Sequence, residues 1–260
     1  MLLNESLIRE KLSKNLNELK IYVYNSIDST NTQAKILAED PSITNAILIA
    51  EEQTAGRGRM GRSFSSQGGK GLYMSILLKN GVPASEGIFT TTYMATVAAR
   101  VIRKISGISP KIKWVNDIYA GGKKLSGILT EGKINLDGTM AYCVCGIGIN
   151  LLKQSFPKEI SAIATTLEDE CGTAHDINGM AAELINEFFM NLHLIGSKEI
   201  ADEYRAQSMV IGEKVTVIKV SESYDASVLD ITDKCELLLL RENGERELLS
   251  TGEVSIRKKQ

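Results

Sequence analysis

The sequence predicts an α+β fold: a mixed, largely antiparallel sheet with helices packed on one face, followed by a small β-barrel at the C-terminus. Three observations predict it. Strand-like segments bounded by turn residues recur along the 260-residue chain, helical spacing is confined to a few segments, and the residues after 209 contain only short apolar strands. We therefore divide the chain into a main domain at 1–208 and a small domain at 209–260. Apolar residues make up 43% of the chain, enough for a sizeable core.

The first part of the main domain is predicted to mix helices and strands. Leucine and isoleucine spacing places a short helix within 4–19. The Asp-Ser-Thr-Asn cluster at 28–31 is typical of a helix N-cap, and Pro41 limits the following helix to about Glu39. Strands are expected at 21–27, 46–53 and 72–79.

A long helix is predicted at 85–106, where apolar or small residues recur every three or four positions before Gly107 and Pro110. Gly-Gly and Asp-Gly turns then separate short strands. These strands are expected at 111–115, 118–120, 125–130 and 139–147, and two more helices at 178–194 and 198–207. In the small domain, turns at 233–234 and 243–244 separate apolar strands.

Charge and composition exclude several classes. The net charge is −2, whereas a dedicated nucleic-acid binder is usually basic. No apolar run is long enough to span a bilayer, and the N-terminus lacks the pattern of a secretory signal. The four cysteines show no CxxC or disulfide-framework spacing, so we expect a reducing, cytoplasmic location.

The run from Gly56 to Arg62 alternates glycines with arginines directly after a predicted strand. Glycines allow the backbone to approach a ligand closely, and arginines offer bidentate donors to phosphate or carboxylate oxygens. The run is not a P-loop, because GxxxxGK[ST] does not occur. By itself the run fits an anion-gripping loop and a solvated, RNA-binding loop equally well.

Two later blocks carry further candidates. Lys113–Tyr119 contains the only tryptophan and an Asn-Asp pair, and Lys124 follows on a predicted hairpin. Asn116 and Asp117 fit a simple turn, and Lys124 is either exposed or functional, since a buried lysine needs an anion. In Gly146–Asn150, glycines alternate along a predicted strand, so one face of the strand lacks side chains. Close approach of a ligand and packing at a β-bulge are two explanations of such a pattern.

Taken together, five blocks in register resemble the biotin–protein ligases. They are Asp28–Asn31, Gln53–Arg62, Lys113–Tyr119, Lys124–Leu129 and Gly146–Asn150. The resemblance covers residues 21–256, including a C-terminal SH3-like barrel and its closing segment at 252–255. It implies a catalytic domain of the class II synthetase-like type and an ATP-dependent ligase.

The resemblance implies a two-step reaction in which biotin and ATP give biotinyl-5′-AMP, and biotin then passes to a lysine of a biotin carboxyl carrier protein or carboxylase domain. Mg²⁺ is expected only with ATP. The implied catalytic residues are Lys124, Arg59 and Asp117, with Asp117 either orienting Lys124 or accepting a proton. The implied biotin-binding residues are Ser29, Thr30, Asn31, Gln53, Gly56, Arg57, Arg59, Lys124 and Gly127. The implied nucleotide-binding residues are Arg57, Arg59, Arg62, Phe64, Asn116, Lys124 and Asn150.

The sequence departs from the family pattern at Val115, where KWPND has proline; proline would fix φ and remove a donor, so a less rigid turn is expected. The short segment before residue 21 leaves no room for a helix-turn-helix domain. We therefore expect a monofunctional enzyme without DNA binding, and family analogy makes a homodimer plausible. The nearest rival is a lipoate or octanoate ligase, which would generally lack both the arginine loop and KWxND.

Overall fold

A computed structural model describes residues 3–79, 87–218, 222–250 and, for the backbone alone, 255–258. The main domain is built on a seven-stranded sheet with the spatial order β1-β2-β3-β7-β6-β5-β4. β1 and β2 are parallel, and every other neighbouring pair is antiparallel. The strands are β1 (Lys20–Ile27), β2 (Ala46–Gln53), β3 (Gly71–Leu78), β4 (Lys111–Lys113), β5 (Asp117–Ala120), β6 (Lys123–Ile134) and β7 (Met140–Asn150).

Helices cover both faces of this sheet, as two apolar clusters show. The helices are α1 (Glu5–Arg9), α2 (Thr30–Ala38), α3 (Gly87–Ser106), α4 (Leu167–Cys171), α5 (Ile177–Met190) and α6 (Lys198–Ala206). The larger cluster joins Ile47 and Ile49 of β2 to residues of α3 and α5. Leu48 of the same strand belongs to a second cluster with Ala34 and Ala38 of α2. Most helices therefore pack on one face, as predicted, while α2 covers the other.

Alternation along the strands explains this two-sided arrangement. Successive side chains of a strand point to opposite faces, so a strand between two helical layers is apolar at every position. All eight residues of β3 are buried, and so are the first five of β2. The predicted site residues lie on the face of the sheet that α2 covers.

The small domain is a five-stranded antiparallel sheet with the order β11-β10-β9-β8-β12, as the predicted barrel requires. Its strands are β8 (Lys214–Ile218), β9 (Ser223–Ile231), β10 (Leu237–Arg241), β11 (Arg246–Leu249) and β12 (Ser255–Lys258). The predicted turns at 233–234 and 243–244 lie between β9 and β10 and between β10 and β11. Trp114 of the main domain donates from its indole N–H to the carbonyl of Cys235 at 2.8 Å, which ties the barrel to the loop before β5.

Several predicted boundaries differ from the structure. Residues 4–19 form only the short α1 and a single 3₁₀ turn at Lys14–Leu16, and α4 was not predicted. The start of the predicted long helix, at 85–86, and most of the closing segment, at 252–254, lie outside the described residues. No helix among the described residues combines the length and apolar character needed to cross a membrane.

Candidate active site

The N-terminus of α2 carries three buried polar residues, Ser29, Thr30 and Asn31. Ser29 is the N-cap residue, but its side chain makes no capping hydrogen bond. The backbone N–H and the hydroxyl of Thr30 both donate to Oε1 of Gln53, at 2.9 and 3.1 Å. Gln53, which ends β2, donates through Nε2 to the hydroxyl of Ser66 at 2.9 Å. These residues form one polar cluster, hereafter the α2 cluster, at the junction of α2 and β2.

Ser75 completes the α2 cluster, although the sequence analysis did not identify it. Its Oγ lies 2.7 Å from Oγ1 of Thr30 and 2.6 Å from Oδ1 of Asn31, and it is fully buried. A hydroxyl has one proton, so Ser75 donates to one of these atoms at a time. A serine in the middle of the otherwise apolar run Leu72–Leu78 was the signal that could have found it.

Glycines on β6 and β7 form the floor of the site on the same face. A Cβ at Gly146 would lie 2.1 Å from Oδ1 of Asn31, and one at Gly148 would lie 2.4 Å from the ring of Phe64. Gly127 is the register partner of Gly148, and a Cβ there would lie 3.3 Å from the Phe64 ring. The glycine pattern therefore reflects close approach of the Asn31 and Phe64 side chains to the sheet, whereas the sequence had suggested approach of a ligand or bulge packing.

Lys124 lies at the other side of this floor and pairs with Asp117. Its Nζ donates to Oδ1 of Asp117 at 2.7 Å, with about a quarter to a third of each side chain exposed. The same Nζ is 3.3 Å from where a Cβ at Gly127 would be. The ammonium group thus sits directly above the glycine floor, next to Phe64, which also overhangs Gly127.

Asn116 is held by β6 through two hydrogen bonds with Ile128. Its Nδ2 donates to the carbonyl of Ile128 at 2.8 Å, and the Ile128 N–H donates to the Asn116 carbonyl at 2.9 Å. The Asn116 Oδ1 accepts from Arg59 at 3.2 Å. The peptide bond between Trp114 and Val115 is cis. Asn116 therefore ends a turn, as its residue type indicates, whereas Asp117 begins β5, and the pair brings an amide and a carboxylate to the Lys124 side of the site.

The arginine loop is a narrow hairpin whose backbone limbs are joined at its base. The N–H of Phe64 donates to the carbonyl of Gly56 at 2.9 Å, and the N–H of Gly58 donates to that of Arg62 at 2.7 Å. At the tip, Met60 has φ of 55°, a left-handed conformation. These contacts give the loop a defined backbone shape.

The three arginines of the loop have different surroundings. Arg59 is partly buried, and this burial lowers the pKa of its guanidinium although the charge of Asp117 opposes the shift. Arg62 is exposed, and its charge also lowers the Arg59 pKa. Arg57 reaches Oε1 of Glu131 at 3.2 Å. The resemblance implied nucleotide binding by all three arginines and a catalytic role for Arg59.

Glu131 on β6 is a second residue that the sequence analysis missed. It accepts hydrogen bonds from Asn31 and Lys35, both at 2.9 Å, besides its contact with Arg57. Burial raises the pKa of this carboxyl, but the hydrogen bonds and the charges of Lys35 and Arg57 outweigh it, so the pKa lies below its ordinary value. Its spacing from Gly127 and Leu129 in β6 puts it on the site face, a period-two signal that the sequence contained.

Asn150 ends β7, on the same face as Gly146 and Gly148. It is buried and donates through Nδ2 to the carbonyl of Thr165 at 3.1 Å. Within the described parts of the chain, its Oδ1 and the Nη2 of Arg59 are buried atoms that lack a hydrogen-bond partner. Such atoms carry a desolvation cost, and a bound ligand with matching polar groups would remove it.

A cavity of about 620 Å³ lies beside the loop, but it is not this site. Arg59 and Met60 line it together with Val115, the first turn of α3 and the barrel residues Lys234 and Glu236. Neither Lys124 nor any residue of the α2 cluster contributes to its wall.

In the regions that the structure describes, no group of three or more His, Cys, Asp or Glu residues is arranged to hold a metal ion.

Both domains of the chain resemble known proteins. Residues 23–150 match the model of the biotin/lipoate A/B protein ligase family, and residues 210–257 match the biotin protein ligase C-terminal domain. A bifunctional ligase/repressor BirA from Bacillus spizizenii is 32% identical over 253 residues, covering 95% of this chain and 78% of that protein. A biotin–[acetyl-CoA-carboxylase] ligase from Mycobacterium tuberculosis is 30% identical over 236 residues, covering 86% of this chain and 85% of that protein.

A solved structure shows the same fold. The biotin protein ligase from Aquifex aeolicus, in complex with biotin and ATP, superposes with a TM-score of 0.78 at 27% identity, covering 92% of this chain and 99% of that one. The fold and the site thus define a ligase of the biotin/lipoate type. Within that class, the chain belongs to the biotin protein ligase family, and it is an enzyme.

Proposed function

We propose that the protein activates biotin with ATP as biotinyl-5′-AMP and transfers the biotin to a lysine of a biotin carboxyl carrier protein or carboxylase domain. The observation that carries this proposal is the position of the Lys124 ammonium over the glycine floor. It lies beside Phe64, with the α2 cluster over Gly146 on one side and Asn116 and Asn150 towards the other. A cation so placed can meet two anionic groups at once.

In the first step, a carboxylate oxygen of biotin attacks the α-phosphorus of ATP. A new P–O bond forms, the bond to the β-phosphate breaks, and pyrophosphate leaves with that electron pair. The reaction brings two anions together, and Lys124 offsets their repulsion and stabilises charge on the phosphoryl oxygens. Arg59, with its unpaired Nη2, is proposed to bind the same oxygens. Mg²⁺ enters with ATP, held by phosphate oxygens and water.

In the second step, the amine of the acceptor lysine attacks the acyl carbon of the adenylate. The C–N bond forms, AMP leaves with the electrons of the C–O bond, and the amine releases one proton to the solvent. Asp117 accepts a hydrogen bond from Lys124 at 2.7 Å, and this contact favours a role in which Asp117 orients Lys124. Closing of the arginine loop over the adenylate would keep water from this reactive anhydride.

The two ends of the site are assigned from the contacts. The ureido ring of biotin needs donors and acceptors in a close-fitting slot, and the α2 cluster with the backbone of Gly56 and Gly127 supplies both. Phe64 and Asn150 are proposed to bind adenine and ribose, with Phe64 stacking on the base. The proposed catalytic unit is 1–208, and 209–260 is proposed as the SH3-like domain that accompanies it.

The decisive experiment is pyrophosphate exchange with ATP and Mg²⁺ in the presence of biotin, lipoate or octanoate. We expect biotin alone to support exchange. Exchange with lipoate or octanoate and none with biotin would refute the substrate assignment. Transfer is then tested with a biotin carboxyl carrier domain and with the same domain in which the acceptor lysine is replaced by arginine.

Two narrower expectations stay predictions. The first is that the enzyme is monofunctional and does not bind DNA; salt-dependent binding to duplex DNA at micromolar protein would contradict it. The second is a homodimer, which sedimentation of the protein with and without biotin and ATP would test.

A further inference from the structure

Arg57 and Arg59 of the arginine loop have different contacts, which indicate different roles. The difference is that Arg57 pairs with the carboxylate of Glu131. Arg57 contacts β6 directly, whereas the link from Arg59 to β6 runs through Asn116. Arg57 reaches Glu131, whereas Arg59 reaches Asn116, which is itself bonded to Ile128. Ile128 and Glu131 are three residues apart, about 10 Å along a strand. The two guanidinium groups are therefore anchored at different ends of the site.

The surroundings of Arg57 are those of a structural ion pair. Its partner Glu131 is a carboxylate that also accepts hydrogen bonds from Asn31 and Lys35 of α2. The Glu131 side chain is 21% exposed and that of Arg57 is 44% exposed. An anion that approaches Arg57 therefore meets a guanidinium that is already paired with a carboxylate.

The surroundings of Arg59 differ in both respects. Its polar contact is the neutral amide of Asn116, and its buried Nη2 has no hydrogen-bond partner among the described residues. A buried donor without a partner is costly, so this group is suited to a ligand anion. Of the two arginines, Arg59 is the one prepared to bind a phosphoryl group.

We propose that Glu131 is a positioning residue and that its ion pair with Arg57 is a latch, which holds the first limb of the arginine loop against β6 and α2. The latch keeps the loop over the site while Arg59 engages the ligand. Because Glu131 also holds Asn31, the same carboxylate connects the loop to the α2 cluster. This inference rests on the proposed function for its effect on the adenylate.

The first test uses the ligand-free protein, so it does not depend on the proposed activity. Trypsin cleavage after Arg59 is followed by mass spectrometry in the wild type, Glu131→Gln and Lys35→Gln. Lys35→Gln is the matched control, because it removes the other cation bound to Glu131 and leaves the latch. Partly exposed ion pairs are weak, so we expect Glu131→Gln to speed cleavage about two- to fivefold. Equal cleavage rates in all three proteins would overturn the latch.

The second test measures retention of the adenylate. Biotinyl-5′-AMP is formed in the protein without acceptor, and its release is followed in Arg57→Gln, Glu131→Gln, the double variant and the charge swap Arg57→Glu with Glu131→Arg. We expect each single variant to release adenylate about two- to fivefold faster. The double variant should be no faster than either single variant, and the swap should recover part of the retention.

Two results would overturn the proposal in this second test. Additive effects in the double variant would show that the two residues act independently. A loss of exchange in Arg57→Gln that Glu131→Gln does not share would make Arg57 an anion ligand. Absence of biotin-dependent exchange in the wild type would refute the proposed function instead, and the cleavage test would still decide the latch.

Discussion

Replacing Lys124 by alanine tests the central cation of the proposed mechanism. The side chain contributes one positive charge over the glycine floor, 2.7 Å from Asp117. Lys124→Ala removes that charge from the place where the biotin carboxylate and the α-phosphate are proposed to meet. Lys123→Ala is the matched control, because it removes the same charge from the exposed neighbouring position.

The expected magnitude follows from the position of the ammonium. A unit charge about 4 Å from developing negative charge is worth about 4 kcal/mol at an effective dielectric constant of about 20. Since about 1.4 kcal/mol corresponds to a factor of ten, adenylate formation should slow by about a thousandfold. The ion pair with Asp117 is partly exposed, so the loss of folding stability should be no more than about 1 kcal/mol.

The assay is biotin-dependent pyrophosphate exchange at saturating ATP and biotin, with thermal unfolding of each variant measured in parallel. Lys123→Ala should retain wild-type exchange. A folded Lys124→Ala protein that exchanges pyrophosphate within tenfold of wild type would remove Lys124 from its role. Unfolding of the variant would instead show that the charge supports the fold more than the contacts indicate.

Three further predictions concern the floor, the core and acid stability. Gly146→Ala places a Cβ 2.1 Å from Asn31 Oδ1, so the KM for biotin should rise while the KM for ATP stays unchanged. Gly68→Ala is the control, and equal KM values for biotin in the two variants would contradict the prediction. Arg100→Met leaves two glutamate partners without their cation, so the free energy of urea unfolding should fall by about 2 kcal/mol. A decrease no larger than that of Lys104→Met, which removes an exposed lysine, would contradict this prediction. The folded-state pKa of Glu131 lies below the ordinary value of 4.5, so the stabilisation from Glu131 is full above that pH and is lost as pH falls through the folded-state pKa. The free energy of urea unfolding of Glu131→Gln should therefore converge on that of wild type between pH 6 and pH 3, and a constant difference would contradict the assignment.

Local patterns predicted most of the fold because they depend on neighbouring residues. The apolar run at 46–53 became β2, with the predicted bounds, and the helix after Asp28 ends at Ala38, close to the prediction. The predicted helix at 4–19 was too long, because apolar spacing does not show where tertiary contacts support a helix. The strand predicted at 125–130 extends to 123–134, since pairing with β7 continues past the apolar residues.

The candidate site was predicted in part for the same reason. Motif residues such as Thr30, Gln53 and Lys124 carry recognisable spacing, and the structure places them on one face of the sheet. Ser75 and Glu131 lie in no motif, so only the folded chain shows that they contact the α2 cluster and the loop. The position of α2 on the opposite face from α3 and α5 was likewise decided by packing.

The sequence by itself determined the class of protein, the motif residues and most of the strands, because periodicity, turn residues and motif spacing are local properties of the chain. The tertiary structure decided what each charge faces. Arg57 meets a carboxylate and Arg59 meets an amide, although both belong to one short run of alternating glycines and arginines. Electrostatic interactions depend on distances in space, and residues far apart in sequence, such as Asn31, Arg57 and Glu131, acquire those distances only when the sheet assembles.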